Sequence, residues 1–284
     1  MIGTGIYRKI EKTTIAPWEH HRLRRERDAV AVRIAEAIRS AARSELSDEE
    51  RGVIEPIEAL RREMAASTDA LTRTDYGAGD GQAHRSAEVM TTGIEVADTL
   101  GDVSRRASKS PSWCLVLFKL VRALRPGSCI EMGTAVGVSA AYQAAALRLN
   151  GQGRLSTLDG AASLAAVARE NLRRLGLSNT EVVVGRFGDT LAPVLAQQRP
   201  VDYVFVDGHH DEQATRAYFE TIVPFLAPDA VVIFDDIAWS DGMKRAWRAI
   251  ATDRRVRLAV DLGDVGLCVV GTSGAGPRRF RIRL

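Results

Sequence analysis

The feature that most constrains this chain is a rhythm that begins at Ser128. Short apolar runs at 128–132, 155–158, 182–184, 203–206 and 231–234 alternate with stretches of helical periodicity that start near 138, 162, 190, 212 and 243. Strands separated by whole helices cannot be joined by tight hairpins, so they lie parallel, and the crossing helices cover both faces of the sheet. The expected fold class is therefore α/β, a doubly wound Rossmann-like sheet. At its end, 256–262 and 265–270 flank Gly263-Asp264 and read as a closing β-hairpin, and 280–284 reads as an edge strand.

The residues before this sheet have a different texture. Apolar residues recur at helical spacing over 24–46 and 53–66, giving two amphipathic helices, and 89–100 and 112–124 read as two more, the last opened by Ser110-Pro111 as cap and first residue. The closely spaced glycines of 75–81 read as a linker or a loop over a site. The chain thus divides into a helical region, 1–110, and a sheet domain, 111–284. An amphipathic helix must bury its stripe somewhere, so the helical region is expected either to cover the site or to pair subunits in a homodimer.

Charge narrows the partners. Lys and Arg number 39 against 36 Asp and Glu, and the net charge of +3 gives no general argument for nucleic acid. The basic clusters at 20–27, 254–257 and 278–283 read as solvated faces. No apolar run reaches the roughly 18 residues of a membrane span. Cys114, Cys129 and Cys268 are widely spaced in apolar stretches, as reduced core thiols would be, and a cytoplasmic protein is expected.

A doubly wound sheet binds ligands at the carboxyl ends of its strands. The first end, Glu131-Met132-Gly133-Thr134-Ala135-Val136-Gly137-Val138-Ser139, is a glycine-bearing turn between strand and helix that lets a ligand approach the backbone. A G-x-G-x-x-G fingerprint is absent, since Ala135 and Val138 stand where glycines would be required, so pyrophosphate is disfavoured. Asp159 closes the second strand, where a carboxylate can hold ribose hydroxyls or merely cap a helix. At the third end, Phe187 and Gly188 offer a flat aromatic face and close backbone suited to adenine. Together these ends describe an adenosine pocket without phosphates.

The last two ends carry the sharpest chemistry, Asp207-Gly208-His209-His210 and Asp235-Asp236. Three carboxylates at one sheet mouth repel one another unless a cation neutralises them, and oxygen ligands select Mg²⁺ or another hard divalent ion. Pairing with Arg or Lys is the competing explanation. His210 is placed to take a proton from a hydroxyl beside such an ion, whereas His209 reads as surface.

These motifs, Glu131-x-Gly133-x-x-x-Gly137-x-Ser139, Asp159, Asp207-x-x-His210 and Asp235-Asp236, resemble those of class I S-adenosylmethionine (SAM)-dependent O-methyltransferases. The likeness is to the metal-dependent branch, which includes the catechol and macrolide-sugar enzymes. The resemblance implies that Glu131, Gly133, Thr134, Gly137 and Ser139 surround the methionine end of SAM, that Asp159 holds the ribose, and that Phe187 and Gly188 border adenine. It further implies that Asp207 touches both cofactor and metal, that Asp235 and Asp236 complete the metal site, and that His210 is the catalytic base. His210 falls where the catechol enzymes have a lysine and the macrolide-sugar enzymes a histidine. The expected reaction is methyl transfer to a small-molecule hydroxyl. Two alternatives stay open: a metal-independent enzyme acting on nitrogen, carboxylate or RNA, and a catalytically idle SAM-binding module.

Overall fold

The computed structural model describes residues 16–77, 85–271 and 276–283. The N-terminal part forms α1 (Ala16–Arg24), α2 (Ala29–Ala42) and α3 (Asp48–Ala66), then β1 (Ala70–Asp75), α4 (Ala87–Thr92), β2 (Ile94–Thr99), α5 (Leu100–Ala107) and α6 (Pro111–Leu124). The helix expected over 24–46 starts later, because Asp28 caps α2 by accepting from the amides of Val30 and Ala31. The helix expected over 89–100 is overturned. It stops at Gly93, whose φ of 75° is foreign to a helix, and Ile94–Thr99 pairs antiparallel with β1. Alternation of Ile94, Val96 and polar neighbours was the signal for a strand, and the missing half of the hairpin lay in an unremarkable polar stretch, 70–75. Residues 78–81 of the glycine-rich loop lie outside the described residues.

The apolar runs from Ser128 onward become strands. They are β3 (Ser128–Met132), β4 (Arg154–Asp159), β5 (Thr180–Val184), β6 (Val201–Val206) and β7 (Leu226–Phe234), followed by the hairpin β8 (Val256–Asp261) and β9 (Gly266–Val270) and the edge strand β10 (Arg278–Arg281). Their order, β10-β8-β9-β7-β6-β3-β4-β5, places the topological switch between β3 and β6. Only β9 runs antiparallel to its neighbours. The crossovers are α7 (Val138–Asn150), α8 (Ala162–Arg174), α9 (Phe187–Gln198), α10 (Glu212–Ile222) and α11 (Asp241–Ala251).

Strand alternation sends Cys129, Tyr203, Phe205, Val231 and Ile233 into one core, shared with α2, α3, α6, α7 and α8. Ile130, Met132, Val204, Val206, Val232 and Phe234 enter a second core under α9, α10 and α11. All three cysteines are buried and unpaired. In α6 every residue from Cys114 to Val121 is buried, because α2 packs along it and it packs in turn along α7. A helix so largely apolar is stable only when wrapped this way. The amphipathic stripe of α2 is therefore buried within the same chain. No helix among the described residues is long and apolar enough to cross a membrane.

Polar ties fix this docking. Lys119 of α6 donates to Glu50 of α3 at 2.6 Å, and Glu50 also closes a capping box with Ser47. Tyr142 of α7 donates to Glu58 at 2.7 Å. Burial alone would raise the Glu50 carboxyl, but the Lys119 ammonium and the Ser47 amide outweigh it and hold the carboxyl below its ordinary value of 4.5. A depressed folded pKa stabilises the protein above the unfolded value and loses that contribution as pH falls through the folded value. Replacing Glu50 by Gln strands Lys119 as a buried charge and should cost about 3 kcal/mol at pH 7 by urea denaturation. The deficit relative to the parent chain should shrink as pH drops below about 4.

Candidate active site

The carboxyl ends of β3 to β7 open into a cavity of about 590 Å³, a volume typical of small-molecule sites. Gly133 leaves β3 with φ of 105°, and a Cβ there would stand 1.9 Å from the carbonyl oxygen of Asp207. The glycine is thus required by the close approach of the β3 and β6 ends at the switch point. Gly137, at φ 86°, opens α7 against Ala168, to whose Cβ an added Cβ would come within 3.1 Å.

Gly133, Asp159, Phe187, Asp207, His210, Asp235 and Asp236 all line the cavity, together with Ala135. Glu131, Thr134, Gly137, Ser139 and Gly188 do not; all but Gly188 stand behind its wall. Glu131 is fully buried, accepting from Gln143 at 2.7 Å and Thr157 at 2.6 Å. Burial pushes its carboxyl up to about 7 against the pull of Thr157, Ser139 and Gln143. Thr134 shares a 2.6 Å hydrogen bond with Thr157. These groups brace the turn from beneath, because the glycines fold it back over β3 and β4. Gly188 is drawn into α9 and faces open space.

Asp159 accepts from the amides of Ala135 and Ala161, each at 2.8 Å, so it ties the glycine turn to the start of α8 while lining the cavity. Tyr76, just beyond β1, lies over Gly160: an added Cβ there would meet its ring at 2.6 Å. Phe187 stands edge-on to Tyr218 and to His209, with centroids 5.8 and 5.4 Å away. His209 is not a surface group, since its Nδ1 meets the Tyr218 hydroxyl and burial lowers its pKa.

At the opposite end, Asp207, His210 and Asp235 bring ligand atoms within 4.8 Å of one another. Asp236, at φ 53°, stands beside them, with Oδ2 3.7 Å from His210 Nδ1, and Asp207 Oδ1 lies 3.7 Å from His210 Nε2. Asp235 is 1% exposed and its Oδ1 accepts no hydrogen bond. Burial raises the Asp207 and Asp235 carboxyls above the ordinary carboxylate range; Asp207 and Asp236 add to the rise at Asp235, Asp236 adds to it at Asp207, and the Lys109 ammonium opposes both. An orphaned buried carboxylate oxygen flanked by the carboxylates of Asp207 and Asp236 offers oxygen donors of the kind that fit a hard divalent ion.

Sequence reasoning missed one member of this cluster. Lys109, from the loop between α5 and α6, pairs with Asp235 Oδ2 and lies 3.9 Å from Asp236 Oδ1. Burial alone would lower its pKa, but Asp207, Asp235 and Asp236 together hold it above the usual lysine range. A single lysine in the polar run Ser108-Lys109-Ser110 carries no signal that separates it from a solvated one.

The structure thus joins a doubly wound sheet to a glycine turn and a set of carboxylates at the mouth of the sheet. Residues 130–237 match the family described as a methyltransferase domain. A catechol O-methyltransferase of Mycobacterium tuberculosis is 35% identical over 125 residues, which are 44% of this chain and 54% of that protein. The chain spans a little over half the length of the curated relatives it matches. An O-methyltransferase from Bacillus cereus, solved in complex with SAH, superposes with a TM-score of 0.50 at 26% identity, covering 58% of this chain and 83% of that one. An O-methyltransferase from Streptomyces achromogenes involved in tomaymycin synthesis, in complex with SAM, gives a TM-score of 0.50 at 26% identity, with 58% and 82% covered. The resemblance to SAM-dependent O-methyltransferases of the catechol type is thereby borne out.

The Gly133 contact is directly testable. Gly133→Ala should lower stability by about 2 to 4 kcal/mol, since either the backbone leaves φ 105° or β6 moves away from β3. Thermal denaturation checks the size, and calorimetry with SAH should show weakened binding.

Proposed function

We propose that this chain transfers the methyl group of SAM to a hydroxyl of a small molecule, with assistance from a divalent cation such as Mg²⁺. The observation that carries the reading is the juxtaposition, in one cavity, of the glycine turn and Asp159 at one end with Asp207, His210 and Asp235 at the other. Such a cavity takes a nucleoside-bearing cofactor and a small acceptor side by side.

In this reading Asp159 faces the ribose, Gly133 and Ala135 present backbone to the methionine end, and Phe187 borders adenine. Asp207, Asp235 and Asp236 would hold the cation, which when bound neutralises them and acidifies a hydroxyl. His210 is the base. Neither of its 3.7 Å contacts with Asp207 and Asp236 is a hydrogen bond, so a ring nitrogen is free to take a proton while the two carboxylates orient the ring. The acceptor oxygen gives its proton to His210 and attacks the sulfonium methyl, and SAH leaves. The protein's remaining contribution is to hold the reacting atoms about 3 to 3.5 Å apart in line. The N-terminal region supplies the cover, through Thr74, Asp75, Tyr76 and Ser108.

A second reading, methyl transfer without a divalent ion, is favoured by Lys109, whose ammonium already stands against Asp235. Conversion of SAM to SAH, followed by chromatography against a panel of phenolic and sugar hydroxyls, tests both. The first reading expects acceptor-dependent turnover that a chelator abolishes, and a His210→Ala rate lower by roughly 10² to 10⁴ with SAM affinity nearly unchanged. Full turnover in chelator on a true acceptor would promote the second. A fully active His210→Ala enzyme would remove the base.

A further inference from the structure

The fold delivers Lys109 to the carboxylates by a rigid route. Its backbone carbonyl accepts from Arg61 of α3, and Arg61 is held in turn by Glu58 at 2.9 Å. Immediately after it, Ser110 caps α6 and Pro111 sets the first helical turn. Arg61 also reaches the buried Cys114 thiol at 3.3 Å, so the loop is pinned from below. The side chain alone, with four methylenes, is free to advance or withdraw. It is 17% exposed, and its ammonium stands against Asp235 Oδ2 while Oδ1 of the same carboxylate has no hydrogen-bond partner.

Resting on the divalent-cation reading, we propose that Lys109 is an intrinsic counter-cation. It occupies the Asp207–Asp235 cluster when no divalent ion is bound, is displaced when one binds, and so sets the affinity of the site. Two considerations carry this. Buried carboxylates that face one another stay ionised only beside a neutralising charge, and a chain that relied on the ion alone would be destabilised whenever the ion was absent. A second cation arriving at Asp235, which is 1% exposed, meets the ammonium of Lys109 at a buried carboxylate where like charges repel more strongly than in water, so it must displace it. Lys109 thereby exchanges cation affinity for stability of the empty site. It makes the ion exchangeable rather than structural.

The test is binding of Mn²⁺ alone, followed by calorimetry and by the electron paramagnetic resonance of the free ion, on the full chain and its Lys109→Met and Lys109→Arg variants. Lys109→Met should bind Mn²⁺ more tightly by roughly tenfold or more, and Lys109→Arg, which keeps the charge, within about threefold of the parent. In chelator Lys109→Met should melt below the parent, and Mn²⁺ should raise its Tm more than it raises the parent's. Should Lys109→Met fail to fold, Lys109→Gln carries the same expectation. Equal Mn²⁺ affinity in the parent and the neutral variants would overturn the counter-cation role while leaving the divalent-ion reading standing. No Mn²⁺ binding by any of them would overturn both.

Discussion

Everything in this molecule follows from a parallel sheet that must be covered on both faces. The crossovers α9, α10 and α11 suffice on one side. On the other, α7 and α8 are joined by α6, in which every residue from Cys114 to Val121 is buried and most are apolar, so it cannot form an outer layer. It is the burial of α6 that requires α2 and α3, so the N-terminal helices complete a core rather than decorate one. The Glu50–Lys119 and Glu58–Tyr142 contacts then decide how they dock, since each leaves a buried polar group unsatisfied if the helices slide.

That docking has a chemical consequence. Once α3 and α6 are fixed, the short connection between α5 and α6 is fixed too, and Arg61 clamps the carbonyl of Lys109 at the rim of the cavity. The same region brings Tyr76 over Gly160 at the other end. Coverage of the sheet and construction of the site are thus one event: the segment that protects an apolar helix also sends a cation and an aromatic ring to the strand ends.

Much of the sheet was legible because its strands are buried on both faces and so read as apolar runs, and because each helix in the second half begins after a strand end that the periodicity marks. The hairpin β1–β2 was not legible. Its strands, Ala70–Asp75 and Ile94–Thr99, are half-exposed and separated by more than a dozen residues, so neither hydrophobic pattern nor turn chemistry distinguishes them from helix or loop. Among the candidate site residues, Gly133, Asp159, Phe187, Asp207, His210, Asp235 and Asp236, which line the cavity, could be chosen by position alone, since strand ends face it. Glu131 and Ser139, both buried behind the turn, show the limit of that rule. Being adjacent in sequence to a strand end says which turn a residue belongs to, not which side of the turn its side chain takes.

The sequence by itself determined the winding of the sheet, the glycine turn at β3 and the set of carboxylates at its mouth, because these depend on local periodicity and on residues within one strand-turn-helix unit. Only the tertiary structure decided what neutralises the carboxylates, which of them share a cluster, and what covers the cavity. Lys109 is about 100 residues from Asp207 and further from Asp235, and Tyr76 is 84 residues from Gly160. Electrostatic contact depends on distance in space, and no feature of a polar loop foretells which charge the packing of a distant helix will place beside it.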